Sequence, residues 1–174
     1  MSTNIQRFNY GVNSQAPHGQ LPILYVDEKP LAQSRTIERY LAREFGLIGN
    51  SDWEAAKMDE YVSAVEDLLI HINPWFKEQD NAKKVEIFKT LCETEIIPFI
   101  TRFDKIIREN GTGYFVGDKI SYADLVIFHI FWFMNSKILP GSLRKYQHLY
   151  EFVTKIAQLP AIKTWMQTRP KTEA

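Results

Sequence analysis

The sequence predicts a small α/β unit followed by an all-helical unit, and three observations carry that expectation. A β-rich segment, Ile23 to Val26, is followed by the polar Asp27-Glu28-Lys29 and a returning Pro30-Leu31, which reads as a hairpin with its proline on an edge strand. The stretch GLIGNSD, Gly46 to Asp52, supplies glycines and turn formers that mark a boundary. Beyond it, apolar residues recur at helical spacing almost to the C-terminus. The expected organisation is a partial α/β domain over 1–45, a linker over 46–51 and a helical domain over 52–174.

Composition narrows what such a chain binds. Of 174 residues, 45% are hydrophobic and 13% aromatic, enough to build a core and too many for a disordered segment. Basic and acidic residues number 21 each, so overall charge favours neither a nucleic-acid backbone nor an anionic membrane surface. A single cysteine, Cys92, excludes an internal disulfide. His18, His71, His129 and His148 lie far apart, without the spacing of metal ligands. The longest apolar run, LVIFHIFWFM from Leu125 to Met134, is about half of the roughly 20 residues that cross a bilayer, so a buried helix is expected there. With no signal-peptide pattern at the start, the expectation is a cytoplasmic protein without metal.

The first helix is expected from about Ser34 to Phe45, with Ile37, Tyr40, Leu41 and Phe45 on one face. Gly46 stands where a helix ends in the left-handed conformation. Arg35, Glu38, Arg39 and Arg43 make a solvated face, on which Glu38 is expected to form no ion pair. Further helices are expected over about 52–72, broken before Pro74; 82–109, bent at Pro98, which lacks a backbone donor; 122–136; 144–158; and 160–168.

Three motifs invite a functional reading. In GQLPIL, Pro22 marks either an edge strand or a cis bond that turns the backbone of Leu21 outward, and an exposed extended segment can pair with a peptide. Gln33-Ser34 opens the first helix: it is either an ordinary N-cap or a carboxylate site, where unsatisfied amides and the positive dipole end meet a serine donor. Ser121 and Asp124 fit a reciprocal cap, with Ile120 and Leu125 placed for a hydrophobic staple. A catalytic Asp124 is the alternative. Trp53, Trp75, Trp132 and Trp165 read as packing residues, since no basic patch accompanies them. His71 and His129, on apolar helices, read as core histidines, and Cys92 has no visible positive neighbour to lower its pKa.

Taken in order, GQLPILYVD, LAQSRTIERYLAREFGL, GTGYFVGDKISYADL and TWMQTRPKTEA resemble the cytosolic glutathione S-transferases, most closely the sigma class that includes the glutathione-dependent prostaglandin D synthases. The resemblance runs from about Pro17 to the C-terminus. It implies a thioredoxin-like N-terminal domain, here incomplete, an all-helical C-terminal domain and a homodimer. It implies glutathione as co-substrate and a small hydrophobic electrophile as second substrate, with conjugation, isomerase or peroxidase chemistry and a role in detoxification. It also implies site residues. The backbone of Leu21 before a cis Pro22 would bind the cysteinyl part of glutathione, with Gln20 nearby. Gln33 and Ser34 would hold the γ-glutamyl carboxylate, and Asp67 would reach the glutamyl amine in the partner subunit's site. Trp75 would line the pocket for the second substrate.

One feature departs from the family pattern. Nineteen residues precede Gln20, too few for the first strand, first helix and second strand together. RFNYG, Arg7 to Gly11, echoes the family's first-strand Tyr-Phe-Asn run, which puts Arg7 where the thiolate-stabilising tyrosine belongs and leaves Tyr10 as the nearby phenol; no catalytic residue is assigned. Without the missing strands the hairpin is expected to leave part of its apolar face uncovered, at about 1.5–3 kcal/mol per large side chain. The alternative function is therefore a catalytically impaired glutathione-binding or dimerisation module.

Overall fold

The computed structural model describes residues 17–170 in full and the backbone of Ile5–Asn9. The chain divides into two compact units, Met1–Ile48 and Gly49–Ala174.

In the first unit, β1 (Ile5–Asn9), β2 (Ile23–Val26) and β3 (Lys29–Ala32) form an antiparallel sheet in the order β1-β2-β3. Phe8 stands opposite Leu24 and Asn9 opposite Ile23, and an irregularity of the β-bulge kind lies between Ile5 and Arg7. β1 was not expected from the residues themselves. It flanks the hairpin on one side, and Ile23 and Leu24 have no exposed surface, so the central strand is covered where an uncovered face was expected.

The hairpin turn is tighter than the triplet Asp27-Glu28-Lys29 suggests. Val26 pairs directly with Lys29, which leaves Asp27 and Glu28 as a two-residue turn with φ of 46° and 65°. Both are left-handed, as a turn matching the strand twist requires. Pro30 sits on edge strand β3 opposite Tyr25, where its missing donor breaks no inner ladder.

Helix α1 (Ser34–Glu44) packs on this sheet through Ile37 and Ala42. It closes with a Schellman motif: Gly46 N bonds Arg43 O at 3.3 Å and Leu47 N bonds Ala42 O at 2.7 Å, with Gly46 at φ 69°. Phe45 is 66% exposed, against its expected place on the buried face. It is the C-cap residue with φ −101° and ψ 9°, already turning out of the helical phase. Glu38 also departs from expectation, since it pairs with Arg35 three residues earlier at 2.6 Å.

The second unit is helical. Helix α2 (Asp52–Lys77) starts at Ser51, whose Oγ accepts from Glu54 N at 3.2 Å, and buries Met58, Val62, Val65, Leu68 and Ile72 at helical spacing. It does not break before Pro74 but runs one turn past it. A proline removes one bond from the ladder, and the last turn is held by ring packing of Trp75 against Phe88 at 5.0 Å and by Glu78 N on Pro74 O at 3.1 Å.

The expected helix over about 82–109 runs unbroken as α3 (Asn81–Leu91) and α4 (Ile97–Asn110), joined by a π-helical turn over Cys92–Ile96. The wider turn immediately precedes Pro98 and absorbs its missing donor. Helix α5 (Tyr122–Phe133) continues into a second π-turn, Met134–Ile138, and buries Ile127, Phe128, Ile130 and Phe131. A 3₁₀ turn, Ser142–Lys145, takes the residues expected to begin the next helix, which starts instead as α6 (Gln147–Ala157). There Asp104 of α4 accepts from Leu149 N at 3.0 Å, a cap supplied from across the core. Helix α7 (Pro160–Thr168) follows.

The core of this unit is aromatic. Phe103 lies 4.3 Å from Phe99, 5.7 Å from Phe131 and 5.5 Å from Phe115 between ring centroids, and Phe115 meets Phe152 edge-on at 5.0 Å. No helix among the described residues is long and apolar enough to cross a membrane.

Candidate functional site

Hairpin register assembles the first candidate site. Ile23 pairs with Ala32 at the open end of β2 and β3, so the residue before Ile23 and the residue after Ala32 emerge together. Those residues are Pro22 and Gln33. The Leu21–Pro22 bond is cis, and Gln20 is exposed beside it. Two motifs a dozen residues apart in sequence thus share one end of one hairpin.

At that end the mouth of α1 is open. Gln33 stands at the N-cap with φ 72° and ψ 113°, and its side chain makes no capping bond. Ser34 is the first helical residue rather than the cap, and no acidic residue lies in the first turn. Gln33 and Ser34 are both exposed. A non-glycine residue held left-handed at a helix entrance is costly, and the uncapped amides with the positive dipole end suit a carboxylate.

The remaining predicted residues lie in the helical unit. Asp67 is exposed on α2. Trp75, half-buried, is tilted against Phe76 at 4.7 Å and Phe88 at 5.0 Å, with Lys84 Nζ 5.4 Å from its ring centroid.

Ser121 and Asp124 form the reciprocal cap. Ser121 Oγ accepts from Asp124 N at 3.4 Å, and Asp124 Oδ2 accepts from Ser121 N at 2.7 Å. Asp124 Oδ1 takes Phe115 N at 2.9 Å and Oδ2 also takes the Ser121 hydroxyl at 2.7 Å. Burial pushes this carboxyl above the ordinary aspartate value, and these bonds with Lys155 only partly oppose the shift.

Two histidine expectations are corrected. His71 and His129 are exposed rather than core: His71 Nδ1 lies 3.0 Å from Glu95 Oε2, and His129 stacks on Phe133 at 6.5 Å. Each lies on the outward face of its helix, where 3.6-residue phase outweighs apolar neighbours in sequence. Burial, and then Glu93, push the Cys92 thiol up, which disfavours the reactive thiolate. No group of three or more His, Cys, Asp or Glu among the described residues could hold a metal. Tyr10 lies outside the described residues, and Arg7 stands on β1 opposite Tyr25. Sequence reasoning missed the bond from Tyr122 to Asp59, which ties α5 to α2; only three-dimensional packing brings residues so distant in sequence together.

The chain thus joins a small sheet-and-helix unit, with a cis-proline beside an open helix mouth, to an all-helical unit. The profile of the glutathione S-transferase C-terminal domain family matches residues 66–169. The chain is 33% identical to glutathione S-transferase 1 of Ascaris suum, over 91% of this chain and 78% of that protein. Among solved structures, the prostaglandin synthase D of Nilaparvata lugens is similar with a TM-score of 0.81 and 36% identity, covering 92% of this chain and 80% of that one. A monomeric glutathione S-transferase of the hookworm Necator americanus is similar with a TM-score of 0.77 and 29% identity, covering 92% and 79%. The chain belongs to the glutathione S-transferase family.

Proposed function

We propose that this chain binds glutathione at the open end of its hairpin and joins the thiol to small hydrophobic electrophiles, or isomerises a glutathione-dependent substrate. The observation that carries this reading is the Ile23 to Ala32 register, which delivers Pro22 and the uncapped Gln33-Ser34 to one place. The backbone of Leu21, with Gln20 beside it, holds the cysteinyl part of glutathione. Gln33 and Ser34 receive the γ-glutamyl carboxylate, whose charge meets the helix amides and dipole. The thiol reacts as thiolate, so the site must favour ionisation of a group whose free pKa is about 8.5.

Asp67 contacts the glutamyl amine bound by a second copy, and Trp75 borders the second-substrate pocket in the helical unit. A homodimer is supported by the exposed face of α2, where Trp53 and Ile70 share the phase of Asp67 and are 75% and 65% exposed. The balanced charge and lone cysteine support a cytoplasmic protein that binds neither nucleic acid nor membrane. The residues 1–45 and 52–174 act as the glutathione-binding and helical parts.

A second reading is a glutathione-binding or dimerisation module without turnover. It is favoured by Arg7 on β1, where the family resemblance places the tyrosine that stabilises the thiolate. The ultraviolet difference spectrum of glutathione added to the chain near pH 6.5 separates the readings. A thiolate band supports the transferase; binding by calorimetry without the band supports the glutathione-binding module; no binding overturns both of these and leaves dimerisation, read by sedimentation.

A further inference from the structure

We propose that Asn110 is a deamidation site which the loop between α4 and α5 holds closed, and whose conversion prevents that loop from closing again. Asn110 ends α4 and is followed by Gly111 at φ 70°. An asparagine before glycine is chemically labile, because no side chain on the next residue hinders its amide nitrogen from approaching the Asn side-chain carbon. In the reaction, Gly111 N gives up its proton to solvent base and attacks Asn110 Cγ. The N–Cγ bond forms as Cγ–Nδ2 breaks, ammonia leaves, and water opens the resulting cyclic imide to aspartate or isoaspartate.

The fold opposes each part of that step. Gly111 N is engaged with Ile107 O at 3.2 Å. Asn110 Nδ2 donates to Thr112 Oγ1 at 2.8 Å, to Tyr114 O at 2.9 Å and to Gly117 O at 2.9 Å. Two amide hydrogens thus serve three acceptors, which fixes the side chain across the loop. The same loop is pinned elsewhere: Phe115 N reaches Asp124, Lys155 Nζ reaches Gly113 O at 3.3 Å, and Lys155 Nζ lies 3.6 Å from the Tyr114 ring centroid. Reaction therefore requires the loop to open locally, and its rate follows that opening.

The product cannot restore the closed form. An aspartate at this position has no donor, so a charged oxygen would face the carbonyls of Tyr114 and Gly117. Thr112 Oγ1 cannot substitute, since it already donates to Gly117 O at 2.7 Å. Asn110-Gly111-Thr112 also has the form of a glycan acceptor, but the nitrogen that would carry the sugar is the one turned onto the three acceptors.

The test incubates the full chain at about pH 8.5 in buffer and in denaturing urea, following position 110 by peptide mass mapping. Conversion in buffer is expected to be about tenfold or more slower than in urea, and the converted chain is expected to melt below the unconverted one. Gly111→Ala is expected to slow conversion in urea, where its effect on folding is irrelevant. Equal rates in buffer and urea, no conversion in urea, or an unchanged melting temperature after conversion would each overturn the proposal.

Discussion

Asp124 Oδ1 accepts the backbone amide of Phe115 at 2.9 Å from a carboxylate with no exposed surface. This bond fastens the loop after α4 to the first turn of α5. Asp124→Ala would strand that amide together with the Ser121 amide and hydroxyl, and is expected to cost about 3 kcal/mol, read as a lower urea midpoint. A midpoint within error of the parent would show that the cap carries no stability.

The same carboxyl sets a pH dependence. Its folded pKa lies above the unfolded value, with burial as the main cause, so the folded chain holds this proton more firmly. The contribution is fully present below the unfolded pKa and is lost as pH rises through the folded one. The stability gap between the parent and Asp124→Asn is therefore expected to narrow as pH rises from the acid side toward neutrality. Urea unfolding of both proteins across that range checks the sign.

Ser34→Ala addresses the glutathione site. Ser34 is exposed and follows the cap position, so stability is expected to stay within about 0.5 kcal/mol. Losing a donor to a charged carboxylate should weaken glutathione about tenfold by calorimetry. Unchanged affinity would move the carboxylate elsewhere.

Asp67→Ala is expected to weaken glutathione without lowering the melting temperature, since the residue is exposed on α2. Because the proposed contact reaches a second copy, the loss should be seen only at concentrations where sedimentation shows a dimer. A loss of equal size in the monomer would place the contact within one chain.

Glu28→Gly probes the hairpin. Glu28 holds φ 65°, a conformation costing an L-residue about 1–2 kcal/mol and glycine little. The substitution is expected to raise the stability of the first unit, measured by amide exchange at β2. Faster exchange there would show that the Glu28 side chain itself supports the turn.

Much of this was legible because the decisive signals are local. Gly46 ends α1 where its left-handed preference says it should, and Ser121 with Asp124 cap α5 from within four residues. Gln33 and Ser34 were legible as a helix opening, but only the strand register shows that they share an end with Pro22. What stayed hidden depends on competition between local cost and distant packing. Pro74 signals a break, yet Trp75 on Phe88 keeps the helix going. His71 and His129 differ from core residues only in helical phase, and Tyr122 finds Asp59 across the core.

The π-turn at Cys92–Ile96 has a consequence for how this chain tolerates changes of length. In a surface loop, losing one residue shortens a path; in this turn it would return the backbone to ordinary winding. A π-turn spends one residue more than an α-turn on nearly the same rotation, so everything after it would keep its phase about the helix axis. Phe99 and Phe103, now fully engaged in the aromatic core, would stay on it together. The spare residue in that turn thus works as a phase adjuster, and a single deletion there should be tolerated better than one in the stretch between Gly111 and Ile120, where Phe115 is held in the core.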